Sequence, residues 1–225
     1  MTGVTHSPST SNAPLVETNP TKGEQTRRSI LDAAIDRFGR DGFRSTSVTD
    51  IARTASVGGT VAYAYFDSKE ALFLAALDDD VAALLSEGLT QIEGERSSVA
   101  WHQELFFTLV RAIDSHPLAR RMLAGLEPDV TPRVLEIPAL AALRAGVAER
   151  LGHEQDQGLV RADIDPNQVG NGMIAILLSL LMSVVQIGQE ATSAYADDVA
   201  AVLRAAMQVA PSGRSADGAE AITVR

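Results

Sequence analysis

Residues 42–77 read GFRSTSVTDIARTASVGGTVAYAYFDSKEALFLAAL. Ser47-Val48-Thr49-Asp50 has the pattern of a capping box, with Ser47 as N-cap and an acid at the third helical position. It predicts a short helix with Val48, Ile51, Ala52 and Ala55 turned inward. Gly58-Gly59 is expected to break that helix, and Thr60 to Phe66 to form another short one. Asp67-Ser68-Lys69-Glu70 then caps a long helix whose apolar stripe is Leu72, Phe73, Ala76, Leu77, Val81, Leu84 and Leu85. Two short helices across a glycine-bearing turn, with a supporting helix before them, describe a helix-turn-helix.

Upstream, Ile30, Leu31, Ala34, Ile35 and Phe38 fall on one face of a helix expected over about Lys22 to Arg40, with Gly39 and Gly42 as its stop. Downstream, helices are expected over Ser98 to His116, stopped by Pro117, and over Leu118 to Leu126. Pro132 to Leu151 should be kinked or divided by Pro138, and a polar loop is expected from Gly152 to Asp163. Asp165-Pro166 starts a helix reaching about Gly188, and Thr192 or Ser193 opens the last, through Met207. No convincing alternating strand pattern appears. The expected fold is all-α: an N-terminal three-helix helix-turn-helix domain at 22–70, then a C-terminal helical domain at 71–210. Residues 1–21 and 211–225 read as disordered tails.

Composition bounds the chemistry. An apolar fraction of 45% supports a core, and the absence of Cys excludes disulfides, thiolate zinc sites and cysteine nucleophiles. His6, His102, His116 and His153 are scattered without metal-ligand spacing, so no metal or other cofactor is expected. The chain has no Gly-x-Ser-x-Gly elbow, phosphate-binding glycine loop or dinucleotide fingerprint, which argues against an enzyme. No signal peptide is expected, and the apolar run from Met173 to Ile187 is shorter than the roughly 20 residues of a spanning helix. It reads as a buried helix in a cytoplasmic protein with no membrane partner.

The net charge of −10 is unevenly spread. Up to Ala75 the chain has eight Lys/Arg and eight Asp/Glu, so the deficit lies in the remainder. Screening over about 8 Å lets a neutral head act apart from an acidic body. In the head, small residues at Gly58, Gly59, Thr60 and Val61 would let a helix approach bases in a major groove. Tyr63 and Tyr65 can offer hydroxyls to phosphates. Lys69, and likewise Lys22, Arg27 and Arg28, stand at helix starts, where the macrodipole disfavours cations, which suggests an external anion such as phosphate.

From about Thr26 to Leu77 the order and spacing of these residues resemble the N-terminal domain of TetR-family regulators. The quoted likeness runs from Gly42-Phe43 through Ser47 to Ala52, Ala55 to Val57 and Tyr63 to Phe66, ending on Ser68 to Leu72. The resemblance implies an all-helical homodimer, most often a repressor, that binds a double-stranded DNA operator. It also implies a divergent C-terminal domain that takes a ligand and dimerises through its last two long helices. Carried over by position, Ser47 is the cap that touches phosphate and Thr49 lies near the groove. Gly59, Thr60, Val61 and Ala64 face bases, and Tyr63, Tyr65 and Lys69 contact phosphate. The sequence departs from the family pattern at Gly58, where a Ser cap is frequent, at Thr60, where Gly is common, and at Val61, where Thr is usual. With no Arg, Asn or Gln in the recognition helix, specificity is expected to rest on thymine methyls, the Thr60 hydroxyl and DNA shape.

In the body, Trp101, His102, Leu105, Phe106, Leu109 and Met122 gather apolar and aromatic groups at helical spacing. They read either as a pocket for a small apolar effector or as plain core. A body that binds a protein partner and no small ligand is the alternative. Met173, Leu177, Leu180, Leu181 and Val184, with Ala200, Leu203 and Met207, divide between core and a dimer face.

Overall fold

The computed structural model describes residues 21–208 except 93, 95 and 96, and among these it contains helices and no strand. The two tails expected at the ends fall outside the described residues, save Thr21. That residue caps the first helix: its hydroxyl accepts from Glu24 N–H, and Glu24 accepts from Thr21 N–H.

Helix α1 (Lys22–Ser45) runs past Arg40, because Gly39 stays helical and only Gly42 bends the chain, at φ +84°. Helices α2 (Val48–Thr54) and α3 (Gly59–Tyr65) follow, then the long α4 (Lys69–Thr90), capped by Ser68 through Ala71 N–H. Helix α5 (Ser98–Ala112) passes through a 3₁₀ turn at Ile113–Ser115 into α6 (Pro117–Leu123). Pro138 divides its segment as one of the two expected outcomes: α7 (Thr131–Val134) ends before it, and Pro138 is the first residue of α8 (Pro138–Asp156). Helix α8 therefore enters the expected loop. Its stop is Gly158 at φ +71°, with Leu159 N–H reaching Glu154 O and Gly158 N–H reaching Gln155 O. Helix α9 (Pro166–Ile187) starts on the Asp165 cap. Helix α10 begins at Gln189, not at Thr192 or Ser193, and runs to Met207. The Thr192 hydroxyl donates back to Gly188 O instead of capping.

Two apolar clusters organise the molecule, and α4 belongs to both. Leu72, Phe73, Ala76 and Leu77 join α1, α2 and α3 in the head, where Phe73 meets Phe38 edge-on at 5.0 Å and Phe43 at 5.2 Å. Leu84 and Leu85 join α5, α8, α9 and α10 in the body. The head cluster also takes in Leu118 and Met122 of α6, so head and body share packing instead of meeting across a linker.

The run expected to be a buried helix is buried on one side only. Met173, Ile174, Leu177 and Leu181 are core, whereas Met182 and Ile187 are exposed. Helix α9 is long and apolar enough to cross a membrane by length and composition. It nevertheless packs against α5, α6, α8 and α10.

Candidate nucleic-acid interface and body cleft

The turn between α2 and α3 is built by Ser56, not by the glycines. Ser56 adopts φ +58°, its N–H reaches Arg53 O at 3.2 Å, and Val57 N–H reaches Ala52 O at 2.9 Å. This is the left-handed helix ending usually assigned to glycine. Gly58 is instead the N-cap of α3, in extended conformation. A methyl group at Gly58 or Gly59 would meet nothing closer than 3.8 Å, so the fold requires neither glycine. What they provide is a low surface at the front of α3.

Helix α3 has two faces. Ala62 is fully buried, and the adjoining Phe66 is buried beneath the Arg27 guanidinium, 5.4 Å from its ring. Thr60, Val61, Tyr63, Ala64 and Tyr65 are exposed, and Gly59 is half-buried. Thr49 and Ser47 of the preceding helix are exposed too, and the Thr49 hydroxyl lies 4.0 Å from the position of a Gly59 Cβ. Thr49, Gly59 and Thr60 thus form one surface. Tyr65 leans away, with its hydroxyl beside Gly23 at the start of α1.

Ser47 caps α2 by accepting from Asp50 N–H at 3.1 Å and donates its own proton to Asp50 Oδ2 at 2.6 Å. That donated bond holds the Asp50 carboxyl below the usual carboxylate range. The reciprocal half of the expected capping box is replaced by Arg53, which pairs with Asp50.

Lys69, Arg27 and Arg28, three of the four cations expected to await an anion, already have partners inside the chain. Lys69 Nζ sits 4.5 Å above the Phe43 ring and 3.5 Å from Arg44 O. It starts α4 but lies against the carbonyl end of α1, where the macrodipole favours a cation. Arg28 pairs with Asp32 at 2.8 Å and Asp79 at 3.0 Å. These neighbours supply negative potential of the kind expected from an external anion such as phosphate.

The expected ligand residues do not converge. Trp101 lines an open cleft of about 650 Å³ between α4, α5 and α8, with Leu85, Ser86, Thr90, Leu143 and Arg150 among its walls. Leu109 and Met122 line a separate inner cavity of about 60 Å³. His102 and Phe106 border a space of about 10 Å³ beneath α10, and Leu105 is fully buried core. The cleft also brings in Arg150, which the sequence reading does not single out. Its guanidinium stacks on Trp101 at 5.6 Å and approaches Glu154 at 3.7 Å. Its distance of 49 positions from Trp101 left no sequence signal.

His102 is buried, and neither ring nitrogen has a hydrogen-bond partner. Burial lowers its pKa from 6.5 to about 4, because the cation cannot be solvated there. The unfolded chain therefore binds a proton that the folded chain refuses. The stabilisation is complete above pH 6.5 and is lost as pH falls from there towards 4. Between pH 7 and pH 5 the protein is expected to lose on the order of 2 kcal/mol that a His102→Leu variant retains. Urea unfolding of both proteins at the two pH values checks this; equal losses would refute it.

Residues 30–76 match the family described as bacterial regulatory proteins, tetR family. The chain is 23% identical over 171 residues to the HTH-type transcriptional regulator UidR of Escherichia coli (strain K12), covering 76% of this chain and 87% of that protein. It is 45% identical over 51 residues to the HTH-type transcriptional regulator RutR of the same strain, covering 23% of this chain and 24% of RutR. Among solved structures, Thermus thermophilus FadR, described as a TetR-family transcriptional repressor in complex with lauroyl-CoA, superposes with a TM-score of 0.60. That match has 26% identity over 83% of this chain and 100% of the other.

Proposed function

We propose that this chain, whose residues 30–76 match the tetR family of bacterial regulatory proteins, is a TetR-family transcriptional regulator: a dimeric repressor whose operator grip is released by a small apolar ligand in the helical body. The observation that carries the DNA-binding part is the exposed face of Thr49, Gly59, Thr60, Val61 and Ala64 in front of a buried Ala62. Two glycines that the fold does not need keep this surface low enough for a groove. The groove is about 12 Å wide. Ser47, Tyr63, Tyr65 and Lys69 are the phosphate contacts around it.

Dimerisation is assigned to α9 and α10, whose outer faces expose Met182, Ile187, Tyr195 and Val202. Of the residues read from sequence, Met173, Leu177, Leu181, Ala200, Leu203 and Met207 are core. Leu180 and Val184 remain at the margin of that face. Two heads joined this way address half-sites about 34–36 Å apart. A ligand that fits only a body with other head spacing shifts the balance by its differential affinity. Moving 99:1 to 1:99 needs about 5.5 kcal/mol, which roughly 200 Å² of extra apolar burial supplies. The 650 Å³ cleft has the size of a ligand site. The lauroyl-CoA complex of the Thermus relative supports a ligand-responsive body.

Footprinting on the DNA upstream of the protein's own gene tests the reading. Two protected half-sites one turn apart are expected, and a uniform or absent footprint would overturn it. Lys69→Ala is expected to weaken specific and random DNA alike and to reduce the salt slope by about 1. A slope unchanged, with only a lower melting temperature, would assign Lys69 to the Phe43 contact alone.

A further inference from the structure

The cleft and the inner cavity share two wall residues, Leu85 of α4 and Leu143 of α8. Each is nearly buried, and behind them the cavity is lined entirely by apolar side chains, including Leu84, Met122, Leu123 and Leu177. Such a space is dry and carries no group to orient a polar molecule. The cleft in front is different. It follows α8 from Ala139 to Arg150, roughly 16 Å at the helical rise. Its Ala139 and Leu143 end abuts the cavity, and its far end carries Thr90, Trp101 and Arg150. Arg150 is the charged residue in this lining, on a body that is otherwise strongly acidic.

Resting on the reading that the body takes an apolar effector, we propose that cleft and cavity are two parts of one tunnel for a single-chain anionic amphipath. The head group pairs with Arg150 beside Trp101, and the alkyl chain runs along α8. Its end passes between Leu85 and Leu143 into the inner cavity. A linear chain fits because the passage is a gap between two leucine side chains, which can part by changing rotamer. An arginine fork fits an oxyanion and keeps donors for Glu154. The chain end then lies against Ala119, Met122 and Leu123 of α6. That helix also holds the head, through Pro117 against Gly39 and through Arg121 to Glu127, which accepts from Phe43 N–H. Chain length therefore governs how far the ligand reaches towards the head.

Trp101 is the sole tryptophan, so its fluorescence reports on the cleft without a label. The full-length protein is titrated with octanoate, tetradecanoate, tetradecanol and tetradecanoyl-CoA below their micelle concentrations. Each buried methylene is worth about fourfold in affinity. Tetradecanoate is expected to bind saturably and at least tenfold more tightly than octanoate, and at least tenfold more tightly than the uncharged alcohol. Arg150→Gln should bring the acid to the affinity of the alcohol. Leu143→Phe should shrink the advantage of the long chain to under threefold. The tighter of the free acid and its thioester identifies the head group.

Affinity that does not rise with chain length, an alcohol that equals the acid, or no saturable change would overturn the tunnel, and the unmutated protein alone decides these points. Release from operator DNA is read separately. Tight tunnel binding without release supports the tunnel and overturns the effector reading. Release by another apolar compound that none of the amphipaths displaces supports the effector reading and overturns the tunnel.

Discussion

Replacing Asp80 by Ala is expected to cost about 3–5 kcal/mol of unfolding free energy. Asp80 is buried midway along α4. Its Oδ2 accepts from Leu118 N–H at 3.0 Å and Ala119 N–H at 2.8 Å, the first turn of α6. Its Oδ1 lies 2.9 Å from His116 Nδ1. The other ring nitrogen of His116 lies 3.3 Å from Glu87 Oε2. Alanine would leave two buried helix-start donors and an imidazole without their acceptor, and no water can reach them easily. Asp80→Asn keeps one acceptor oxygen and should recover part of the loss. Chemical unfolding of the three proteins at one protein concentration measures it. A loss below about 1 kcal/mol for the alanine variant would show that the carboxylate does not hold α6.

The second large effect is at Gly39, where α1 crosses α6. A methyl group there would stand 2.7 Å from Pro117 Cβ, 3.0 Å from its carbonyl carbon and 3.2 Å from Leu118 N. Two of those atoms are backbone and the third belongs to a rigid ring, so the helices must separate. Overpacking of this kind costs about 1–3 kcal/mol, even though alanine is the better helix former by about 1 kcal/mol. Gly39→Ala should therefore destabilise the protein and also weaken DNA binding, since the displaced helix carries the head. Gly152→Ala, inside α8 with nothing within 4 Å, is the control and should stabilise by about 0.5–1 kcal/mol. Thermal unfolding and DNA titration of the pair separate crowding from propensity. If both variants gain stability, the α1–α6 contact is not tight.

Both substitutions act on the junction of α1, α4 and α6. The same junction holds Glu127, a buried carboxylate that accepts from Phe43 N–H at 3.1 Å and Arg121 Nε at 2.6 Å. Head and body are thus coupled by packing and by buried hydrogen bonds, and a ligand that moves α6 has a direct mechanical route to α1.

Local chemistry was legible in the sequence. The caps at Ser47, Ser68 and Asp165, the stripe of α4 and the two faces of α3 depend on residues within a few positions of one another. Errors arose where a local rule had two solutions. Glycine position predicts a stop at Gly39 with Gly42, a break at Gly58-Gly59 and a loop from Gly152, but a glycine ends a helix only when the backbone there turns left-handed. The chain does so at Gly42, at Gly158 and, against type, at Ser56.

The amino-acid order by itself determined that this chain is helical, that its head carries a turn between two short helices, and which residues of α3 face outward. Periodicity and capping are short-range effects and survive being read in one dimension. Only the tertiary structure decided what the long-range charges do. Asp78, Asp79 and Asp80 look like one solvated acidic run, yet they respectively accept from Ala139 N–H at the start of α8, pair with Arg28 of α1, and cap α6. Successive residues on a helix point about 100° apart. Three neighbours in sequence therefore meet three different partners in space, and Arg150 meets Trp101 by the same rule working in reverse.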